Sequence, residues 1–344
     1  MNAVTYYEAE VLPGLEPFAA EELRAKLGRD VRILKAETGR IPLELDGAID
    51  MRAASTVRSV NAIYRVLTFT TPRPKGLLGH QAFTAMSAAA KGIIEGSQSF
   101  RTLSLDAAGA DSAVMQRIKS EFAAALRLAP ADDKGDLHVR IRPTRDKQGW
   151  QVLLRLTSRP LATRTWRQHN FQGALNAAVA SVMASLTGPK PGDHILNIMC
   201  GSGTLMVERA ALAPFTYLQG IDNDPAVLDL AHDHLKVSGT HSAALICADA
   251  KAIPYPAGSF DVLLSDLPFG QLVGSHRENM TLYPAMLAEA GRVAIKDARF
   301  ALVTHEKRLI GDVLRTQAVW SVIRSAPINL NGLHPEILLL EKQG

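Results

Sequence analysis

Residues 193–204 read DHILNIMCGSGT, a strand-like apolar run that stops at a cysteine and two glycines spaced two apart. The stretch that follows, TLMVERAALA at 204–213, distributes its apolar residues as a helix does. A glycine-rich turn between strand and helix lets the backbone approach a ligand closely. This one lacks the third glycine of the dinucleotide fingerprint and the Gly-Lys-Ser/Thr of a phosphate-cradling loop. Alone it can be a purely structural turn, so the decision rests on what surrounds it.

Working outward, strands and helices alternate. ALNAAVASVMASLTG (174–188) reads as a helix ahead of the PKPG turn. Beyond the glycines come a strand YLQGID (217–222), a helix PAVLDLAHDHLKVSG (225–239) and the strands AALICADA (243–250) and FDVLLSDL (260–267). A helix near 281–292, the strand FALVTH (300–305) and a closing apolar pair, VWSVIRSAPINL and EILLLEK, complete the series. Strict alternation predicts an α/β fold, a doubly wound Rossmann-like sheet with helices on both faces. Ligands of such sheets sit beyond the C-terminal strand ends, where NIMCGSG, GIDND, CADA and SDLPFG all fall.

Those ends carry a consistent chemistry. Asp222 lies 19 residues after Gly203, placed to accept the two hydroxyls of a ribose. Asp249 ends the next strand, where a carboxylate can meet the amine of adenine. Each acid alone can be a cap or turn residue. In the order glycine loop, acid, acid, they point to an adenosine-bearing ligand without a phosphate site, S-adenosylmethionine. At the fourth end Asp266 and the Leu267 carbonyl offer two acceptors, Pro268 biases the preceding backbone to an extended form, and Phe269 offers a stacking surface. Two acceptors can hold the N–H groups of a nucleobase amine and turn its lone pair towards a methyl sulfonium, while the ring holds an extruded base.

The front of the chain differs. Residues 1–170 carry a net charge of +7 and residues 171–344 one of −3, which suggests that the first part holds a polyanion. TYYEAEVL, then PGLEPFAAEELRAKLG with apolar residues at helical spacing, then a hairpin around Thr38–Gly39 make a small α+β unit. Strand, helix and hairpin recur over 99–160, the helix capped by Asp111 or Ser112. Eight cations fall in the 28 residues 140–167, opposed only by Asp146. Arg140, Arg142, Arg145, Lys147, Arg164 and Arg167 are the candidate contacts to that polyanion. PRPKGLLGH (72–80) reads as a linker.

These motifs resemble the amino-methyltransferases with an (Asp/Asn)-Pro-Pro-(Tyr/Phe) signature and, more narrowly, the THUMP-domain RNA guanosine-N2 methyltransferases. The strongest match is MCGSGT followed by DLPFG. VLPGLEPFAAEEL, the 99–167 region and LNGLHPEILLLEK extend it over nearly the whole chain. The resemblance implies a ferredoxin-like region (1–65), a THUMP RNA-binding domain (66–165) and a catalytic domain (171–344). It implies S-adenosylmethionine as methyl donor and N2 of a guanosine in tRNA as acceptor, at position 6 in preference to position 10. It places the cofactor on Asn197, Cys200, Gly201, Ser202, Gly203 and Thr204, on Asp222 with Asn223 and Asp249 with Ala250, and beside Asp266. Catalysis falls to Asp266, Leu267, Pro268 and Phe269. Two departures stand out: Asn197 where members carry Asp, and Leu267 in place of the first proline. Methylation of rRNA guanosine or DNA adenine, and an inactive RNA-binding protein of the same fold, are the competing readings.

Two cysteines are too few for a disulfide framework, and no stretch approaches the ~20 apolar residues of a membrane span. A cytoplasmic monomer without a metal or membrane partner is therefore expected. His232 and His234, two apart on a helix, point to different faces and read as part of a solvated helix. Cys200 reads as a small packing residue in preference to a nucleophile.

Overall fold

The computed structural model describes residues 4–96, 100–169, 171, 173–269, 275–330 and 332–343. The chain divides into two compact units, one from 1–11 and 16–162, the other from 12–15 and 163–344. Among the described residues no helix is long and apolar enough to cross a membrane.

The first unit comprises β1 (Val4–Glu10), α1 (Glu16–Leu27), β2 (Arg32–Ile33), β3 (Arg40–Asp46), α2 (Met51–Ser55), β4 (Ala62–Phe69), α3 (His80–Glu95), β5 (Thr102–Ala107), α4 (Ala113–Leu126), β6 (Ala129–Pro130), β7 (Leu137–Pro143) and β8 (Trp150–Arg155). Its strands form one sheet in the order β2-β3-β1-β4-β8-β7-β5-β6. β4 joins the halves: it pairs antiparallel with β1 through Tyr6↔Val66 and with β8 through Leu67↔Val152. Position 65 thus falls inside a strand, and one apolar core runs from Tyr7 to Leu156. The PRPKGLLGH stretch is no free linker. Residues 74–78 form a short 3-10 turn whose Leu77 is fully buried in that core. Ser112, not Asp111, caps α4, its hydroxyl accepting from the Met115 amide.

The second unit comprises α5 (Ala177–Leu186), β9 (His194–Ile198), α6 (Thr204–Ala210), β10 (Tyr217–Asp222), α7 (Pro225–Ser238), β11 (Ala243–Cys247), β12 (Phe260–Asp266), α8 (His276–Val293), β13 (Ala294–Thr304), α9 (Lys307–Thr316), β14 (Trp320–Pro327) and β15 (Glu336–Lys342). The strand order is β11-β10-β9-β12-β13-β15-β14. β9 to β13 run parallel, and β15 is antiparallel to both β13 and β14. The chain moves outward on one side of β9 and then returns to the other side with β12. That reversal opens a crevice at the C-terminal ends of β9 and β12, where open α/β sheets bind ligands. The alternation read from sequence therefore holds, with two differences. α8 starts at His276, five residues before the expected helix, and α9 was not expected at all.

Candidate active site

The loop after β9 is a tight turn. Met199, Gly201 and Gly203 have φ of 52°, 52° and 78°, a left-handed region that glycine enters without strain. A Cβ added at Gly201 would meet nothing within 4 Å, so the backbone lies open there. At Gly203 a Cβ would lie 3.2 Å from that of Ala231 on α7, and the glycine lets loop and helix close up. Cys200 is buried against β10: a Cβ added at Gly220 would come within 3.0 Å of its sulfur. Burial pushes its thiol pKa up, which disfavours the thiolate a nucleophile needs. Ser202 and Thr204 are also buried.

Asp222, at the end of β10, ties this loop to its neighbour. Its Oδ2 accepts from the Gly201 amide at 2.9 Å and its Oδ1 from the Asp224 amide at 3.2 Å. Each carboxylate oxygen can accept more than one hydrogen bond, so capacity remains for a ligand hydroxyl. Asn223 is exposed, and Ala250 is buried beneath the next strand end. Asp249 is exposed, accepts from the Lys251 amide at 2.9 Å and pairs with the Lys251 ammonium at 3.4 Å. Asn197 is fully buried within β9. Its Nδ2 donates to the Leu264 carbonyl at 3.1 Å, while its Oδ1 is buried with no partner among the described residues. An open backbone at Gly201, an acid with spare acceptor capacity at 222 and a second acid at 249 fit an adenosine-bearing cofactor.

Asp266 ends β12 opposite Val303 of β13. Its surface is only partly covered, yet protein crowds the carboxyl closely enough that burial pushes its pKa to about 7. No hydrogen bond ties it to another described residue. The Leu267 amide donates to the Val303 carbonyl at 3.1 Å, and no described residue donates to the Leu267 carbonyl. The next carbonyl, that of Pro268, is clamped by Asn279 Nδ2 at 2.9 Å and by the Tyr283 hydroxyl at 2.8 Å. Tyr283 in turn meets Thr304 Oγ1 at 2.9 Å. Phe269 lies 6.2 Å from the ring of His305; Gly270 lies outside the described residues.

Asn279, Tyr283 and His305 were missed from sequence. The first two are four apart on one face of α8. The signal for them was Ser275 followed three residues later by Glu278, a capping box. Ser275 Oγ accepts from the Glu278 amide at 3.3 Å and meets its carboxylate at 2.8 Å.

The basic residues divide. Arg142 makes a two-pronged ion pair with Glu8, at 3.0 and 2.5 Å, and donates to Gln151. Arg140 pairs with Glu10 at 2.9 Å and Asp106 at 3.0 Å over the Tyr64 ring. Arg145 pairs with Glu37 but stays 79% exposed, beside the exposed Lys147. Arg142 and Arg145 help line a cavity of about 410 Å³ with Tyr6 and Arg40. Arg164 and Arg167 lie in the second unit and turn inward, which corrects the expectation that they hold RNA. Arg164 reaches the fully buried Glu208 at 2.8 Å, and Arg167 reaches Thr204 Oγ1 at 3.0 Å. The histidines of α7 also part. His232 is exposed as expected, whereas His234 is fully buried.

A parallel sheet that reverses at β9, with a glycine loop and acids on successive strand ends, defines a Rossmann-like methyltransferase domain. The chain belongs to the family of the RMKL-like methyltransferase domain, whose model matches residues 164–336. A tRNA (guanine(6)-N2)-methyltransferase of Thermus thermophilus is 28% identical over 357 residues, covering 98% of this chain and 99% of that protein. The mouse tRNA (guanine(6)-N(2))-methyltransferase THUMP3 is 29% identical over 205 residues, 56% of this chain. That match spans only 40% of the mouse protein. In fold, the crystal structure of TrmN from Thermus thermophilus superimposes with a TM-score of 0.73 at 23% identity, over 98% of this chain and 99% of that one.

Proposed function

We propose that this chain transfers a methyl group from S-adenosylmethionine to the exocyclic N2 of a guanosine in tRNA, at position 6. The observation that carries the reading is the end of β12: a desolvated Asp266 carboxyl beside the Leu267 carbonyl, neither bonded to a described residue, with Phe269 two residues on. Likeness to relatives named as tRNA (guanine(6)-N2)-methyltransferases supports the substrate and the position.

Bound S-adenosylmethionine supplies an electrophilic methyl group on a sulfonium. The loop Cys200–Thr204 and Asp222 with Asn223 would hold it, with Asp249 and Ala250 towards adenine and Asn197 supporting the loop from beneath. The task left to the chain is to make a poor nucleophile reactive, because the N2 lone pair is delocalised into the guanine ring. The Asp266 carboxylate and Leu267 carbonyl accept its two N–H groups and turn the lone pair out of the plane. Phe269 stacks on the extruded base. As N2 gains the methyl group it gains positive charge, which the nearby carboxylate stabilises. A carboxyl of pKa about 7 is also suited to take the proton that N2 then releases. The Pro268 carbonyl, held by Asn279 and Tyr283, fixes the backbone that carries all three groups.

RNA holding falls to the first unit, read as a ferredoxin-like region over 1–65 and a THUMP domain over 66–165, with Arg145 and Lys147 at its exposed β7–β8 turn. A monomer acting in the cytoplasm completes the proposal.

The test is single-turnover methylation of a tRNA transcript, with the product nucleoside identified by mass spectrometry. Asp266→Ala should lower the rate by about 10²–10⁴ while tRNA affinity barely changes, because phosphate contacts dominate binding. Asp266→Asn should keep part of the rate, since its amide oxygen still accepts. Full activity in Asp266→Ala, or a product other than N2-methylguanosine, would overturn the reading.

A further inference from the structure

Near the start of the second unit a short segment, Arg164 to His169, is bound to Thr204 of the glycine loop and to the helices α6 and α7 beside it. Arg164 donates to the buried Glu208 of α6 at 2.8 Å. Arg167 donates to Thr204 Oγ1 at 3.0 Å and to the Leu175 carbonyl at 2.9 Å, with its guanidinium 5.3 Å from the Trp166 ring. Trp166 is buried and meets the His234 ring edge-on at 5.4 Å. The His169 amide donates to His234 Nε2 at 3.2 Å, and His234 Nδ1 lies 2.9 Å from the Ser202 carbonyl.

The partners fix the protonation of His234. A carbonyl can only accept and an amide N–H can only donate, so Nδ1 carries the hydrogen and Nε2 is bare. Burial, which lowers the pKa of this imidazole, favours the same neutral form. One ring therefore links the segment to the carbonyl of Ser202, midway between the two left-handed glycines.

We propose that residues 164–169 form a strap that holds the glycine loop in its ligand-accepting shape, with His234 as the positioning residue that connects strap to loop. The proposal rests on the cofactor reading of that loop. It gives Arg164, Arg167 and His169 a structural task in cofactor affinity, and predicts that loosening the strap weakens cofactor binding with the chemistry intact.

Two replacements of His234 separate its contacts. The amide nitrogen of Asn stands where Nδ1 does and can still donate to Ser202. The longer Gln reaches the place of Nε2 and can accept from His169, but leaves the Ser202 carbonyl without a donor. His234→Gln should raise the dissociation constant for S-adenosylmethionine about tenfold, the worth of one hydrogen bond, with kcat at saturating cofactor within about twofold. His234→Asn, which loses the His169 link but keeps the Ser202 donor, should raise that constant about threefold. Hydrogen exchange of the cofactor-free protein gives a second readout. Amides 200–204 should exchange about tenfold faster in His234→Gln, and about threefold faster in His234→Asn, which keeps the Ser202 donor but loses the link to the strap. If His234→Gln does not fold, Arg167→Met, which removes the donor to Thr204, should show the same two changes. Wild-type exchange and affinity in the folded Gln or Met variant, or in His234→Asn, would overturn the strap. Failure of the wild-type protein to bind the cofactor would overturn the cofactor reading, while the exchange rates would still decide on the strap.

Discussion

Replacing Asp266 by Asn should make the cofactor-free protein more stable, at a cost in activity. Burial carries this carboxyl from 3.8 to about 7 in the fold. The difference, about three, is worth about 4 kcal/mol at 1.36 kcal/mol per pKa unit; partial access to water brings it to about 2–4 kcal/mol. The folded state keeps the proton that the unfolded chain loses above pH 3.8. Stability from this group is therefore fully present below that pH and lost as pH rises through about 7. Asparagine is neutral throughout and escapes the loss. For a unit of this size the gain corresponds to roughly 5–15 °C in melting temperature at pH 8, shrinking towards zero near pH 4. Thermal melts of wild type and Asp266→Asn from pH 4 to pH 8.5 give the measurement. A gain that does not depend on pH, or a variant less stable than wild type at pH 8, would refute the claim that Asp266 is held desolvated.

Four more outcomes are expected. Asp222→Ala loses both the Gly201 amide contact and the proposed ribose contact, and should weaken S-adenosylmethionine binding by about 2–4 kcal/mol in calorimetry; wild-type affinity would remove Asp222 from the site. Leu77→Ala should destabilise the first unit by about 2–5 kcal/mol in a denaturant melt, because Leu77 is fully buried, whereas a residue in a free linker would cost nothing. Arg145→Ala with Lys147→Ala should reduce the slope of log affinity for tRNA against log salt by about two. Arg142→Ala should instead cost about 3 kcal/mol of stability by leaving the buried Glu8 without its partner.

Periodicity carried most of the second unit. An α/β sheet with its loops at one end was legible because each strand is short, apolar and followed by a turn residue or an acid, and because the glycines fix where β9 stops. The acids of that end were legible for the same reason, since Asp222 and Asp266 end strands and Asp249 lies two residues past one. What was not legible is the layer behind them. Asn279 and Tyr283 belong to a helix whose first turn is polar, so its apolar period begins late and only the capping pair Ser275 and Glu278 marks the true start. α9 is short, exposes half of its residues and buries only Ile310 and Val313. His234 looks like any polar residue of an amphipathic helix until α7 is set against the glycine loop.

The basic segment shows why formal charge misleads where periodicity does not. A count over 140–167 treats each arginine as available, yet availability depends on partners far away in the chain. Arg142 finds Glu8 across 134 residues and Arg140 finds Glu10 across 130, because the sheet order sets β1 and β7 on either side of the pair β4 and β8. Both carboxylates lie in a short strand that the sequence presents as an unremarkable beginning. Pairing of this kind removes net charge from the face while keeping the guanidinium groups fixed in direction. The residues left to meet a polyanion include those at the tip of the β7–β8 turn, Arg145 with a partly exposed partner and the exposed Lys147. Salt dependence should therefore follow Arg145 and Lys147, and stability should follow Arg142, even though the three lie within six residues of one another.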